Sequence, residues 1–439
     1  MDSGHSTMPQ HRWNRRWLQL AVLLTLLAGL GATLAAYAQA LWQWRSAQRA
    51  VAAEDWLQAQ QRLESCRWWW YYNPAWHWYY ARVCRGVGEW SAAERHLLQA
   101  SRLGYDAQAV ALESALLRYQ QGDDSVEAYL WQRYEQGDAQ ECAAIVAVLV
   151  PRLFAQFRLP EVGPLSARWV EWRPESALAW QYRAQVLERL HPNGLETVEA
   201  WRQWWRLAPQ EPQAGIGLAR LLMQRREEMT QAVALLEQLL QRWPAEEAAQ
   251  LLLAECYLML GQQDKALPLL ERCVTHGSKP AQAYWLRGRW YLQRGEPAAA
   301  VRELRQAVAQ DPSSPEVWYS LFQALQQAGA PPDEVRQVEQ RWRQCDADLR
   351  RASQLARLVG ERPRDADLRQ QLGELFLRHG REVDGLRWLQ SALQLQPDHP
   401  ATHRLLADYY DRQGRSDLAA VHRRYLSSPA ATPATSSAR

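Results

Sequence analysis

Three consecutive windows, beginning at Gln213, Glu247 and Ala281, repeat one residue pattern with a period of 34 residues. The clearest copy runs from Ala281 to Ser314 and carries Tyr284, Gly288, Tyr291, Gly295, Ala300, Leu304, Ala307 and Pro312. This spacing predicts two amphipathic helices joined by a tight turn. The small residues Gly288, Ala300 and Ala307 fall where the helices must approach closely, and Tyr291 and Leu304 fill the seam. Pro312 ends the second helix, because it lacks the N–H and clashes with the preceding turn. A unit of this size cannot bury its apolar face alone. Stacking on neighbours supplies the core, so the chain is expected to form a one-dimensional array and not the few globular domains that length alone would suggest.

The register and residue types resemble the tetratricopeptide repeat. The resemblance implies an all-α, right-handed solenoid of stacked helix-turn-helix pairs, about eleven of them, behind one N-terminal hydrophobic helix. The Glu247 copy keeps Ala254, Tyr257, Gly261, Ala266, Leu270 and Cys273 in register, and the Gln213 copy keeps Ala232, Leu236, Leu239 and Pro244. Further copies open at Pro74, Ala366 and Pro400, with weaker ones near Ala40, Gln108, Ala143, Leu178 and Pro315. Two places break the period. Between Pro315 and Asp365 the chain is half a repeat too long, and Asp333 to Val359 holds no Gly or Pro, which predicts one long helix or two abutting ones. From Ala143 to Pro174, Pro151, Pro160 and Pro164 are expected to interrupt the helices. The chain thus divides into a basic segment (1–16), a hydrophobic helix (17–42), a divergent array (43–212) and a regular array (213–314). An irregular long-helix segment (315–365), two C-terminal repeats (366–426) and a small, polar tail expected to be disordered (427–439) complete it.

Trp17 to Trp44 contains no charged residue and is bounded by Arg16 and Arg45. A bilayer core needs roughly 20 apolar residues, so this run is long enough to span. A cleaved signal peptide is the alternative, with Ala38-Gln39-Ala40 as the cleavage site, but the uncharged stretch exceeds the usual apolar region of such peptides. Arg12, Arg15 and Arg16 precede the run, while Glu54 and Asp55 offset Arg45 and Arg49 after it. The positive-inside rule then places the repeats on the non-cytoplasmic side, as a single-pass membrane protein or, after cleavage, as a secreted or periplasmic one.

Only two lysines occur, Lys265 and Lys279, and Trp outnumbers Phe 24 to 4, skews that a GC-rich genome would produce. A net charge of +3 without basic runs is no nucleic-acid footprint. The six cysteines lack metal-ligand spacing and read as buried small hydrophobes, although a Cys66–Cys84 bridge is conceivable. Gly215-Ile216-Gly217 has no preceding strand and is not a dinucleotide turn. His399 and His403 flank a helix start, where one caps and the other packs. No catalytic residue, cofactor, metal or small-molecule substrate is expected.

In the tetratricopeptide family the first helix of each pair lines a groove. Carried onto this chain, the groove positions include Trp78, Arg82 and Arg85; Trp285, Arg289 and Gln293; and Tyr319, Gln323 and Gln326. They also include Gln370 and Glu374, then Arg404 and Asp408. Aromatic, Arg and Gln side chains together suit an extended peptide or a helix. The resemblance therefore implies a non-catalytic, membrane-tethered scaffold for protein partners. Two alternatives are a glycan-binding module that stacks sugars on exposed aromatics and an accessory subunit of an envelope enzyme or secretion complex. Trp17, Trp42, Trp68, Trp69 and Trp70 are the candidate membrane-interface residues.

Overall fold

A computed structural model describes residues 11–192, 194–225, 228–278 and 280–427. Met1 to Gln10 of the basic segment, Lys279 and the tail from Ser428 lie outside the described residues, as do the side chains of Arg12, Arg15 and Arg16. Among the described residues the chain forms 22 α-helices in adjacent pairs, one short 3-10 turn and no strand. It divides into two compact units, Met1–Val148 and Leu149–Arg439.

The first unit holds α1 (His11–Ala52), α2 (Trp56–Trp70), α3 (Pro74–Gly86), α4 (Trp90–Arg102), α5 (Ala107–Gln120) and α6 (Glu127–Gln136). The chain crosses the boundary within α7 (Ala139–Ala155). The second unit continues with α8 (Leu159–Trp172), α9 (Ala177–Leu190), α10 (Leu195–Leu207), α11 (Pro212–Met223) and α12 (Met229–Arg242). Next come α13 (Glu247–Met259), α14 (Gln263–His276), α15 (Pro280–Gln293), α16 (Pro297–Gln310) and α17 (Pro315–Gln327). It ends with α18 (Pro332–Glu361), α19 (Ala366–Arg378), α20 (Glu382–Leu395), α21 (Pro400–Arg412) and α22 (Ser416–Ser427).

α1 combines two kinds of helix. One stretch within it, Leu20–Ala52, is long and apolar enough to cross a membrane, and its apolar first part is exposed throughout. From Ala40 onward one face turns inward: Ala40, Trp44, Ala47, Ala50 and Val51 pack with Ala59, Leu63 and Cys66 of α2. The same helix is therefore also the first helix of the first pair.

Turn chemistry follows the period. At the end of α15, Gly295 takes φ 73, with its N–H on Leu292 O (3.1 Å) and the N–H of Glu296 on Tyr291 O (3.0 Å). That left-handed cap suits glycine because it has no Cβ to clash. Close approach also follows the pattern. A Cβ on Gly288 would stand 2.5 Å from Leu304 Cγ, so the missing side chain sets the spacing of α15 and α16.

The two irregular regions resolve into continuous helices. α18 is a single helix of 30 residues. Its first half buries Val338 against α16 and α17, and its second half packs Ala352, Leu355 and Val359 on α19 and α20. Pro151 lies inside α7 and Pro164 inside α8, where the expectation was interruption; Pro160 sits in the first turn of α8. Each internal proline removes one helical hydrogen bond, while the fully buried Leu149, Val150 and Leu153 hold the turns around Pro151 in place.

Within the second unit, first helices of successive pairs touch one another: α11 with α13, α13 with α15, α15 with α17, and α19 with α21. They therefore line the inner side of the curvature. The α7–α8 turn also meets the far end of this unit. Phe157 stacks on Trp388 of α20 at 3.6 Å between ring centroids, and Arg369 of α19 donates to the carbonyl of Gln156 (2.6 Å).

Candidate partner-binding groove

α13, α15 and α17 run side by side, and each offers one face to the inner surface. Five sequence-nominated residues, Trp285, Arg289, Gln293, Tyr319 and Gln323, line one cavity of about 410 Å³ between α15 and α17. Helical spacing explains the grouping, since residues four apart share a face. Trp285 Nε1 donates to Ser320 Oγ (2.9 Å), and Ser320 Oγ donates to Glu316 O (2.8 Å). These bonds fix the indole across the two repeats. The Arg289 guanidinium lies 4.9 Å over the Trp285 ring and pairs with Glu255 of α13 at 3.5 Å. Burial raises the Glu255 carboxyl above its ordinary value, and the Arg289 charge opposes that rise. Gln323 Nε2 donates to Tyr319 OH (3.1 Å), and the Tyr319 ring leans on Trp342 of α18 at 4.9 Å. The result is a pre-positioned wall of aromatic faces, one half-exposed cation and amide groups. It can take apolar side chains and hydrogen-bond a backbone, and it contains no nucleophile and general base in contact.

The first unit uses its nominated residues differently. Arg82 lies 4.9 Å over the Trp78 ring and 3.7 Å from Glu113 of α5; Arg85 also pairs with Glu113 and donates to Gln120 Oε1 (3.1 Å). Arg85 and Glu113 are buried. Burial lowers the Arg82 guanidinium from its ordinary value, with Glu113 opposing. Trp78 donates to Ala109 O (3.3 Å) and stacks on Tyr105. Both arginines thus knit α3 to α5. Glu113, Glu255 and Ser320 escaped the sequence reading, because each is an ordinary polar residue until a neighbouring repeat supplies its partner. On α19, Gln370 and Glu374 bond one another at 3.2 Å.

At the N-terminal end, Trp17, Trp42, Trp68 and Trp69 are exposed. Trp70 is half-buried and stacks on Trp44 at 5.4 Å. His399 caps α21 by accepting from Thr402 N (3.3 Å), and His403 is buried with its Nε2 on Pro397 O (2.8 Å). All six cysteines are buried free thiols, so Cys66 and Cys84 form no bridge. Among the described residues no group of three or more His, Cys, Asp or Glu is placed to hold a metal ion.

Two family models, both described as tetratricopeptide repeat, match residues 225–285 and 281–324, which include the cavity walls on α15 and most of α17. No curated protein matches. The chain is similar to the solved structure of PilW, a widely conserved type IV pilus biogenesis factor, at 16% identity. That match covers 45% of this chain and 90% of that one, with a TM-score of 0.40. It is similar to a thermophilic TPR protein of Thermus thermophilus at 19% identity, covering 42% and 98%, with a TM-score of 0.34. It is also similar to the human IFIT1 dimer with m7Gppp-AAAA at 16% identity, covering 81% and 90%, with a TM-score of 0.36.

Proposed function

We propose that this chain, a tetratricopeptide repeat protein, is a non-catalytic scaffold tethered to a membrane by α1, and that it holds a protein partner against the groove between α15 and α17. The observation that carries this reading is the convergence of Trp285, Arg289, Tyr319 and Gln323 on one cavity of the inner face. The anchored aromatics supply apolar contact at low entropic cost, and tryptophan, tyrosine and arginine are the residues on which binding energy concentrates. Tethering draws support from the long apolar run of α1, and placement of the repeats on the non-cytoplasmic side draws on Arg12, Arg15 and Arg16.

Site-specific photocrosslinking tests the groove. A photoreactive residue at Tyr319 in the full chain in its own membranes should yield a protein adduct, and one at exposed Gln306 on α16 should not. Arg289→Glu should reduce that adduct by roughly an order of magnitude. Equal adducts at the two sites, or insensitivity to the charge reversal, would count against the groove.

A further inference from the structure

We propose that the corner between α2 and α3 is a second membrane contact, with Trp68, Trp69 and Tyr72 seated among the headgroups of the bilayer that α1 enters. This rests on the reading of α1 as an anchor. α2 runs back antiparallel to α1: Arg62 donates to Gln43 Oε1 (3.0 Å), and further along Trp69 meets Tyr37 at 5.5 Å between centroids. The end of α2 is therefore level with Tyr37. From Trp17 to Tyr37 the helix rises about 30 Å, which matches the thickness of a hydrocarbon core. The corner thus lies where a hydrocarbon core entered at Trp17 would end, within the last turns of the uncharged run that reaches Trp44.

The corner has the composition that depth favours. From Trp68 to Trp76 no residue is charged. Trp68 is 89% exposed and Tyr72 82%, while Trp69 is 42% exposed. Trp70 and Trp76 point inward, whereas Trp69 and Tyr72 keep edge contacts with Tyr37 and Tyr71 and still leave much of their rings, like that of Trp68, exposed. Indole and phenol rings have apolar bodies and polar tips, and they gain free energy at a membrane interface where both are satisfied. Two contacts, one spanning and one lying on the surface, would fix the tilt of the first repeat relative to the bilayer.

Spin labels on single cysteines introduced into the full chain in phosphatidylcholine vesicles test this directly, since the six native thiols are buried. Labels would be placed at Leu27 in the apolar run, at Trp68 and Tyr72 on the corner, and at Glu94 beyond the far end of α3. Oxygen-to-nickel accessibility should be highest at Leu27, several-fold lower but clearly membrane-shifted at Trp68 and Tyr72, and aqueous at Glu94. Corner labels that match Glu94 while Leu27 remains deep would overturn the second contact and leave the anchor standing. An aqueous Leu27 would remove the anchor and this proposal together. Corner labels that are immobilised yet aqueous, with copies crosslinking there, would assign the rings to a protein contact and also overturn it.

Discussion

Phe157 adopts φ 59 at the end of α7, a conformation that glycine takes in most turns of this array and that Glu54 shares after α1. Its N–H bonds Phe154 O and the next N–H bonds Leu153 O, the same cap that Gly295 makes. A side chain in that region costs roughly 1–2 kcal/mol. The ring offsets the cost by stacking on Trp388, with the Arg189 guanidinium 5.5 Å from the Phe157 ring centroid. Phe157→Ala should therefore destabilise the second unit by about 2 kcal/mol, keeping the strain and losing the ring. Phe157→Gly should be milder by about 1 kcal/mol, because it relieves the strain as well. Thermal midpoints of the two variants check the order, and an inverted order would refute the account. In the first unit, Glu113→Gln should cost on the order of 3 kcal/mol by leaving Arg82 and Arg85 without their shared carboxylate. Denaturant titration of the variant reads that loss.

Two helix-level devices show how far each helix depends on the one packed against it. A Cβ on Gly217 of α11 would sit inside the Trp201 indole of α10, which is buried. Gly217→Ala should then destabilise by about 1–3 kcal/mol despite its better helix propensity, measured as a lower thermal midpoint. The second device is a pair of facing histidines, found twice. His77 Nδ1 meets His96 Nδ1 at 2.9 Å between α3 and α4, and His403 meets His422 in the same way between α21 and α22. Burial lowers His96 to about 4, with neighbouring positive charge adding to the effect; burial also lowers His77 and His422. The unfolded chain takes up protons first, below the ordinary imidazole value of about 6.5. The stability these groups contribute is thus complete above that pH and is lost as pH falls toward about 4. Thermal midpoints should drop over this window, and His96→Leu should make the drop shallower. An unchanged slope would show that the pair is not the titrating element.

At the scale of the molecule, α1 must be both an apolar run and a repeat helix. A chain beginning at Ala38 keeps Ala40, Trp44, Ala47 and Val51 over Leu63 and Cys66, and it should be soluble and strongly helical. A chain beginning at Trp56 exposes that face of α2 and should aggregate or lose helicity, as size-exclusion chromatography and circular dichroism would report. Equal behaviour of the two chains would show that α1 contributes nothing to the first pair. A reporter that works only outside the cytoplasm, fused after Ser427, should be active; signal confined to a cytoplasm-only reporter would invert the orientation.

The period, the helix pairs and the glycine turns were legible in the order of residues, and the stretch from Asp333 to Val359 was legible as helix, either one long element or two abutting ones. Each depends on local geometry: which side chains share a helical face, which backbone angles a residue tolerates, and where proline removes a donor. The same local rules misjudged Pro151 and Pro164, because packing around α7 and α8 outweighs one lost hydrogen bond at each. Long-range pairing could not be read at all. Arg289 and Arg82 occupy comparable positions on first helices, yet Arg289 stays half-exposed in a cavity while Arg82 is drawn into the buried Glu113 cluster. Nothing in either helix distinguishes them. The difference lies in what the next repeat presents, Ser320 and Tyr319 in one case and Glu113 in the other. Likewise, only the curvature summed over many repeats brings Phe157 to Trp388. The sequence by itself determined the repeating unit, since that rests on contacts within one pair. The tertiary structure decided which polar groups remain available, because charge and burial depend on neighbours that the period does not specify.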